Sequence, residues 1–474
     1  MVETVKADLC VIGAGSGGLS VAAGASQMGA RVVLIEKGKM GGDCLNYGCV
    51  PSKALIAAGH AAETIRRSGV FGVNGREPEV RFHDVHDHVH GVIAAIAPHD
   101  SVERFEGLGV HVIQAAGRFT GPGEVEADGR RIRARRFVVA TGSSPAAPPI
   151  PGLDTVPYLT NETIFDLTDR PDHLIVIGGG PIGCELAQAH RRLGAEVSVA
   201  EMRTILPNDD PDAVDVVRRR LVADGIALHE GATVAGVEPE KNGIAVVVRR
   251  DGHEHRISGS HLLVAAGRVA NVAGLNLDAA GIAHTSKGIT VDGRLRTSNK
   301  RVYAIGDVAG GHQFTHMAGY HAGIVIRNAL FYLPAKVKTD AVPWVTFTDP
   351  EIAHVGQSEA EARRRTPRVR TLTWPFAEND RARAGHETEG LIKVIVGPRG
   401  RILGATIAGP RAGEMITTWT LAINEGLKIG SIANLIVPYP TLNEVSKRVA
   451  GSYYTESLFG PRTRRLVSAL QRLP

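Results

Sequence analysis

Two cysteines, Cys44 and Cys49, are the residues best suited to redox chemistry, and they lie in the segment GGDCLNYGCVPSK. Four residues separate them, so a helix carrying both must be distorted before their sulfurs can bond. A disulfide that closes so small a loop adds little stability, and this favours a role in accepting and passing on two electrons. A metal site or an inert pair is the alternative, but metal sites need more ligands and the sequence holds no second cysteine cluster.

A strand, a glycine turn and a helix precede the cysteines. Residues 7–12 (ADLCVI) are β-rich and apolar, and Gly13, Gly15 and Gly18 follow in the spacing G-x-G-x-x-G. The helical stretch LSVAAGASQMG and a second apolar run ending at Glu36 complete the unit. Glycines in this spacing let backbone N–H groups approach a pyrophosphate, and the acid accepts a hydrogen bond from a ribose hydroxyl. The pattern predicts a dinucleotide-binding fold.

The same pattern recurs in LIVIGGGPIGCELAQAHRRLGAEVSVAE, with Gly178, Gly180 and Gly183 in the turn and Glu201 at the end. Two complete fingerprints in one chain are much stronger evidence than one. A carboxylate at Glu201 pairs with a free 2′-hydroxyl and repels a 2′-phosphate, which favours NADH. Arg203 lies close enough to weaken that preference, so NADPH remains the alternative.

The carboxyl-terminal third has a different pattern. After about residue 340 it reads as strands (VPWVTFT, LIKVIVG and ILGATIAG) followed by helices from about Ala412, without a further fingerprint. The predicted fold is therefore α/β, with two Rossmann-like domains and an α+β carboxyl-terminal domain. The predicted ranges are 1–150 for the first nucleotide fold, 151–270 for the second, 271–340 for a continuation of the first, and 341–474 for the carboxyl-terminal domain.

Composition and charge exclude several other classes of protein. Hydrophobic residues at 43% and charged residues at 22% are typical of a folded globular chain. The net charge is +5, but the arginines are scattered, so nucleic-acid binding is not predicted. No apolar run approaches the roughly 20 residues of a membrane span, and MVETVKADLCVIGAG is unlike a signal peptide. A cytoplasmic location is expected.

The segment GGDCLNYGCVPSKAL resembles the active-site segment of the class I flavoprotein disulfide reductases. This pyridine nucleotide-disulfide oxidoreductase family includes dihydrolipoamide dehydrogenase, glutathione reductase and mercuric reductase. The resemblance runs nearly end to end, through both fingerprints, ATG at 140–142, AAGR at 265–268, YAIGDVAG around Asp307, FTDPEIAHVG and PYPTLNE.

The resemblance implies that the first fold binds FAD and the second binds NADH or NADPH. The residues implied for FAD are Gly13, Gly15, Gly18, Glu36, Gly42, Lys53, Gly117, Thr141, Gly142, Asp307 and Thr315. Those implied for the nicotinamide nucleotide are Gly178, Gly180, Gly183, Glu201, Val234 and Gly267. No resident metal is expected.

The resemblance also implies catalytic roles. Cys49 matches the thiol beside the flavin, and Cys44 matches the exposed thiol that attacks the substrate. Lys53 resembles the family's lysine beside flavin N5, and Glu185 its ion-pair partner. Electrons would pass from NADH through FAD to the disulfide and then to an acceptor.

The sequence departs from the family in its carboxyl-terminal segment. In a homodimer of this family, one subunit contributes this segment to the active site of the other. Dihydrolipoamide dehydrogenase and glutathione reductase carry His-Pro-Thr-x-x-Glu, whereas this chain has Tyr439 and Glu444 at the ends of that segment. With a reference pKa of about 10, against about 6.5 for histidine, tyrosine is a poor base at neutral pH. The tyrosine therefore weighs against efficient turnover of lipoamide or glutathione, and a dihydrolipoamide dehydrogenase-type dithiol reaction stays the alternative.

Tyrosine at this point favours mercuric reductase, because reducing a soft metal ion requires no protonation of a leaving thiol. Against that reading, the last cysteine is Cys184, so the terminal cysteine pair of mercuric reductases is absent, as is their amino-terminal metal-binding domain. The predicted acceptor is therefore a soft metal ion or a disulfide. A flavin-binding redox sensor without turnover, or a partner in a larger complex, is the alternative from another class.

Two groups of histidines and the basic carboxyl-terminal tail carry weaker functional signals. The histidines that could bind a metal are His83, His86, His88 and His90, and those that could replace the missing base are His312, His316 and His321. Packed or solvated histidines are the expectation for both groups. The basic, amphipathic tail RTRRLVSALQRL is expected to pack on the protein's own dimerisation domain, with contact to a membrane surface as the alternative.

Overall fold

A computed structural model of the chain describes residues 3–473, which form two compact units. The first unit contains both fingerprints, and the second contains the carboxyl-terminal strands. Residues 3–67, 75–203 and 227–338 form the first unit, and residues 68–74, 204–226 and 339–473 form the second. This division by packing does not test the four ligand-binding and dimerisation ranges, which stay a prediction.

The first sheet is built around an apolar strand that carries the first fingerprint at its end. The elements are β1 (Thr4–Ile12), α1 (Ser16–Gln27), β2 (Val32–Glu36), α2 (Gly42–Asn46), α3 (Cys49–Arg67), α4 (Phe82–Ile96), α5 (Val102–Gly107), β3 (Val110–Gln114), β4 (Arg118–Gly121), β5 (Glu124–Ala127), β6 (Arg130–Val139) and β7 (Ser143–Pro145). The strand order is β3-β2-β1-β6-β5-β4. Leu9 and Val11 pack on one face of β1 and Cys10 and Ile12 on the other, as expected for a parallel strand buried on both sides.

The second sheet repeats this arrangement around the second fingerprint. Its region contains β8 (His173–Ile177), α6 (Pro181–Arg192), β9 (Glu196–Glu201), α7 (Pro211–Ala223), β10 (Ala227–Glu230), β11 (Thr233–Glu240), β12 (Gly243–Arg250), β13 (His253–Gly259), β14 (His261–Val264) and β15 (Arg268–Ala270). The parallel order is β10-β9-β8-β14, while β11, β12 and β13 form an antiparallel sheet. Ile175 and Ile177 of β8 share a core with Val246 and Val248 of that antiparallel sheet. Helix α7 groups with the second unit.

A two-stranded ribbon joins the two nucleotide folds. Strand β7 follows the ATG segment, β15 begins at the arginine of AAGR, and the two pair antiparallel. The chain then returns to the first sheet through β16 (His284–Thr285), β17 (Gly288–Ile289), β18 (Val302–Ala304) and α8 (Thr315–Ala329). Strand β18 pairs with β6, and α8 packs closely on α1, where a Cβ at Gly17 would lie 3.2 Å from that of Ala318.

The second unit is a five-stranded antiparallel sheet with helices. Its elements after residue 338 are β19 (Pro343–Thr346), β20 (Glu351–Gly356), α9 (Glu359–Arg365), β21 (Arg370–Pro375), α10 (Asp380–Ala384), β22 (Leu391–Val396), β23 (Ile402–Gly409), α11 (Ala412–Asn424), α12 (Ile429–Ala433), α13 (Glu444–Ser452), α14 (Thr455–Leu458) and α15 (Pro461–Leu470). The order is β19-β20-β23-β22-β21, and every residue of β23 is buried. On β22, buried Lys393 lies 2.7 Å from Asp210, the residue that caps α7.

The predicted fold class is confirmed, as are the strands and the helix start at Ala412 in the carboxyl-terminal domain. The tail forms a helix, α15, as its spacing predicts, and none of its residues is buried within the single chain. Its packing on the dimerisation domain stays a prediction. Amphipathic spacing predicts the helix but not the surface that covers it.

Candidate active site

The two cysteines approach each other because the helix breaks between them. Cys44 lies in α2 and Cys49 begins α3, while Tyr47 between them has φ −141°, outside the helical range. Both are free thiols, and the side chain of Cys44 hydrogen-bonds to that of Cys49. The distortion that the spacing requires is therefore present, and the pair is placed for exchange between dithiol and disulfide.

The surroundings make the two thiols unequal. The pKa of Cys49 is lowered to about 6, first by the hydrogen bond from Cys44, then by the hydroxyl of Thr315 and the charge of Lys53. Its Sγ lies 3.3 Å from Oγ1 of Thr315, the first residue of α8. The pKa of Cys44 is raised, because it hydrogen-bonds to Cys49 and is partly buried. In the structure Cys49 is the more exposed thiol, whereas the resemblance implies that Cys44 is the exposed one. The surroundings thus favour the thiolate at Cys49 and the protonated thiol at Cys44.

An ion pair links the cysteine helix to the second fingerprint's helix. Nζ of Lys53 on α3 lies 2.8 Å from Oε2 of Glu185 on α6, and the Glu185 side chain is only 7% exposed. The helices are close at this point, since a Cβ at Gly59 of α3 would lie 3.2 Å from the carbonyl oxygen of Ala189 on α6. The sequence-predicted pair is therefore formed, and it fixes the lysine beside the thiols.

The first fingerprint forms a cradle with one open position. A Cβ at Gly13 would lie 2.4 Å from the carbonyl oxygen of Ala140, and one at Gly18 would lie 1.8 Å from that of Gly13. Gly15 differs, because the nearest atom to its Cβ would be Cα of Gly42 at 4.0 Å. The outer glycines are required by the turn itself, whereas the middle one leaves room for a pyrophosphate against the backbone.

The second fingerprint has the same geometry. A Cβ at Gly178 would lie 2.5 Å from the carbonyl oxygen of Ala265, and one at Gly183 would lie 1.9 Å from that of Gly178. At Gly180 nothing lies within 4 Å. The two cradles fit the two dinucleotides that the sequence implies, FAD and a nicotinamide nucleotide.

The acids at the ends of the second strands close both cradles. Glu36 accepts hydrogen bonds from the backbone N–H groups of Ala14 at 2.5 Å and Gly38 at 2.7 Å. Glu201 accepts one from Gly179 at 2.9 Å. Each carboxylate is held at its fingerprint turn, where the ribose of a bound nucleotide would lie.

A polar network beside the cysteines was missed by sequence reasoning. Arg268 lies 3.1 Å from Asp43, and its Nε donates to Oγ of Ser143 at 2.7 Å. Ser143 donates to Asp307 at 2.6 Å, and Asn161 donates to Asp43 at 3.1 Å. Burial raises the pKa of Asp307, against the hydrogen bond from Ser143 and the charge of Arg268. The only local signals were Arg268 in AAGR and Asp43 beside the first cysteine.

The remaining residues predicted for the cofactors lie in turns, at the start of helix α2 or near a strand end of the first unit. They are Gly42, Gly117, Thr141, Gly142, Val234 and Gly267. Thr141 donates to the carbonyl oxygen of Asn271 at 2.7 Å. Gly142 and Gly267 have φ of +68° and +122°, and nothing lies within 4 Å of a Cβ at either. A Cβ at Gly117 would meet Ile35 at 3.2 Å, so packing against β2 restricts that glycine.

In the second unit, Tyr439 has a carboxylate partner. Its hydroxyl donates to Oδ2 of Asp380 at 3.1 Å, and this hydrogen bond and charge, with a smaller contribution from Glu444, raise the tyrosine pKa. The neighbouring Asn379 is buried and donates to the carbonyl oxygen of Thr441 at 3.0 Å, which holds the backbone of the segment. Tyr439 is therefore a hydrogen-bond donor at neutral pH and not a base.

The histidines show no arrangement that changes this description. His86 and His90 share a face of α4, with ring centroids 4.2 Å apart. Within residues 3–473, no group of three or more His, Cys, Asp or Glu side chains is arranged to hold a metal ion. His321 is buried, its Nδ1 accepts from the N–H of Gly306 at 3.2 Å, and burial lowers its pKa.

Comparison with known proteins shows similarity along both units. Residues 7–322 match the family model "Pyridine nucleotide-disulphide oxidoreductase", and residues 342–450 match its dimerisation domain. The mercuric reductase of Bacillus cereus is 36% identical over 440 residues, covering 92% of this chain and 70% of that protein. The dihydrolipoyl dehydrogenase of Bacillus subtilis is 34% identical over 455 residues, covering 94% and 96%. The solved Cu(II) complex of the HOCl-induced flavoprotein disulfide reductase RclA from Escherichia coli has a TM-score of 0.85 at 27% identity, covering 94% and 99%.

Proposed function

The chain belongs to the pyridine nucleotide-disulphide oxidoreductase family of FAD- and NAD(P)H-dependent enzymes, and we propose that its physiological acceptor is a soft metal ion. With both cofactors bound, FAD would carry electrons from NADH, or from NADPH as the alternative, to Cys44 and Cys49, and the cysteines would pass them to the acceptor. A mercuric or cupric ion fits this proposal, since one relative is named a mercuric reductase and one structural neighbour was solved with Cu(II). A disulfide is the alternative acceptor.

The observation that carries this proposal is the Tyr439 to Asp380 hydrogen bond. Reduction of a disulfide to two thiols consumes two electrons and two protons, whereas reduction of Hg²⁺ to the metal consumes two electrons and no proton. NADH supplies two electrons and one proton. A phenol whose pKa is raised above its ordinary value is a poor base for a dithiol cycle. A metal ion bound by both sulfurs itself displaces the proton that Cys44 keeps, and this proton passes to water.

The chain's own residues bind and orient the two cofactors in this proposal. FAD, when bound, would accept electrons from a hydride donor and pass them to a pair of thiols. The residues proposed to hold it are Gly13, Gly15, Gly18, Glu36, Gly42, Lys53, Gly117, Thr141, Gly142, Asp307 and Thr315. Those proposed for the nicotinamide nucleotide are Gly178, Gly180, Gly183, Glu201, Val234 and Gly267. Lys53, oriented by Glu185, places a positive charge beside the Cys49 thiolate.

The proposed domains follow the predicted ranges, with 1–150 and 271–340 binding FAD, 151–270 the nicotinamide nucleotide and 341–474 forming the dimer. Residues 342–450 match the family's dimerisation domain, which supports a homodimer. In that homodimer Tyr439 and Glu444 of one subunit would serve the cysteines of the other. A cytoplasmic location is part of the proposal, because a dithiol is maintained in a reducing compartment.

Steady-state NADH oxidation tests the acceptor. Mercuric and cupric ions, lipoamide and a small disulfide are compared for the wild-type enzyme, Tyr439→His and a matched Tyr439→Phe control. We expect metal-ion turnover to exceed disulfide turnover, and Tyr439→His alone to raise disulfide turnover by about 10²-fold, the usual contribution of a placed base. Faster lipoamide than metal turnover in the wild type, or no gain in Tyr439→His, would overturn the proposal.

Anaerobic reduction by NADH tests the cysteine assignment separately. A thiolate at Cys49 beside the flavin should give a long-wavelength absorption band, and Cys49→Ser should abolish that band while Cys44→Ser keeps it. A flavin that is reduced without the band contradicts the assignment of Cys49. A band without turnover of any acceptor would indicate a redox sensor instead of an enzyme.

A further inference from the structure

Helix α15 exposes an apolar face that the rest of the chain leaves uncovered. None of its ten residues is buried. Six large apolar side chains in and around it are between 45% and 66% exposed, and these are Leu458, Phe459, Leu466, Val467, Leu470 and Leu473. Exposed apolar side chains clustered in this way mark a contact surface.

The residue spacing separates this helix into two faces. Leu466 and Leu470 are four residues apart in α15, which places them on one side of the helix, and Leu473 follows shortly after the helix ends. Arg464 lies on the opposite side, and Arg465 lies between the two sides. The helix is therefore amphipathic, with an arginine-rich polar face.

The charge on the polar face has one sign only. Residues 457–473 contain four arginines and no aspartate or glutamate. Helix α9 of the same unit also ends in arginines, but its Arg363 pairs with Glu359 at 2.6 Å, as is typical of a solvated helix. The unbalanced arginines of α15 indicate that its polar face meets an anionic surface.

We propose that α15 is a peripheral membrane-binding helix that lies in the headgroup region of an anionic lipid bilayer. In that position the leucines enter the boundary of the acyl chains while the arginines contact lipid phosphates, so one surface satisfies both faces. A second copy of the chain would also cover the leucines, and the measurement of the dimer described below distinguishes this outcome. Helix α15 also lies beyond residues 342–450, which match the dimerisation domain.

The attachment is peripheral. No helix among residues 3–473 is long and apolar enough to cross a membrane. The amphipathic spacing instead orients the helix parallel to the surface, where a basic polar face and a narrow apolar face give reversible binding that weakens with salt.

Co-sedimentation of the full-length holoprotein with vesicles tests this proposal. Vesicles of phosphatidylcholine and phosphatidylglycerol, mixed at about two to one, are compared with vesicles of phosphatidylcholine alone. We expect binding to the anionic vesicles, weaker binding at about 0.5 M salt, and little binding to neutral vesicles. Equal binding to both vesicle types, or to neither, would overturn the proposal.

Paired variants assign the binding to α15. Arg464→Gln with Arg465→Gln should weaken binding to the anionic vesicles by about 30-fold, since each arginine near such a surface contributes roughly a fivefold factor. The matched control, Arg364→Gln with Arg365→Gln on α9, removes the same charge from exposed positions and should leave binding unchanged. An equal loss in both would show a nonspecific charge effect and contradict the assignment.

The apolar face is tested with Leu466→Ala and Leu470→Ala together, which keeps helix propensity high. We expect reduced vesicle binding with unchanged NADH oxidation and an unchanged dimer in analytical ultracentrifugation. Dissociation of the dimer in this variant, without vesicle binding by the wild type, would show that α15 belongs to the subunit interface.

Discussion

Each nucleotide fold of the first unit begins with a strand whose end meets a neighbouring parallel strand, Ile12 beside Val139 in the first and Ile177 beside Val264 in the second. In both, the glycine that follows lies against the carbonyl oxygen just beyond that neighbouring strand. In both, the acid that ends the next strand holds the turn. The nucleotide cradle is thus the same structure built twice.

The two folds diverge after that acid. In the first, the chain turns at Gly41, with φ +85°, and enters α2 and then α3, which carry Cys44 and Cys49. In the second, it continues past Arg203 into α7, which packs in the other unit. Helix α1 has small, uncharged side chains where it contacts α8. Helix α6 instead carries the buried Glu185, which forms the ion pair with Lys53. The cradle supplies the nucleotide binding, and the segments added to it supply the chemistry.

The largest expected effect comes from the outer glycines. Gly18→Ala and Gly183→Ala place a Cβ within 2 Å of a carbonyl oxygen, so the backbone must shift, at a cost of at least about 3 kcal/mol. We expect a strong loss of thermal stability or of soluble protein in either variant. Circular dichroism melting curves measure the loss.

The middle glycines are the matched controls. Gly15→Ala and Gly180→Ala meet no close atom and should keep the apoprotein's melting temperature. The first should lose bound flavin, and the second should keep flavin and raise KM for NADH. If both variants affect the same ligand, the two cradles do not serve different nucleotides.

An intermediate effect is expected at the two acids. Glu201→Gln removes a charge that opposes a 2′-phosphate, so the ratio of kcat/KM for NADPH over NADH should rise about tenfold, as a change of roughly 1.4 kcal/mol would give. Glu36→Gln should leave that ratio unchanged and weaken flavin retention instead. Initial rates with both nucleotides, together with the flavin absorbance of each purified variant, measure these outcomes. An unchanged ratio in Glu201→Gln would contradict the preference for NADH.

The smallest effect is expected at Thr315. Its hydroxyl helps to lower the pKa of Cys49 to about 6, so the thiolate is present above that pH and is lost as the pH falls through it. In Thr315→Val the pKa should rise, and the long-wavelength band should disappear at a higher pH than in the wild type. Thr315→Ser keeps the hydroxyl and should titrate like the wild type. A midpoint that does not move in Thr315→Val would show that Cys44 and Lys53 suffice.

Local sequence patterns predicted those structural elements that are determined by a short segment of the chain. The strand, turn and helix around Gly13 and Gly178 follow from spacing alone, and so does the break in the helix between Cys44 and Cys49. The contact of Asp43 with Arg268 joins residues more than two hundred positions apart, and that of Tyr439 with Asp380 joins residues 59 positions apart. No periodicity encodes such contacts, because they depend on how finished elements pack.

The ribbon of β7 and β15 has a consequence for recombination of this enzyme. Residues 143–145 pair with residues 268–270. Each nucleotide fold therefore contributes one of the two strands of the ribbon. A fragment cut near residue 150 would expose an unpaired strand edge and lose the partner of Arg268. A nicotinamide-binding fold exchanged between relatives would therefore have to include strand β15. Its arginine at the position of Arg268 would also have to hydrogen-bond to Ser143 of the recipient chain. The two nucleotide cradles share one geometry, but the ribbon makes the two folds depend on each other.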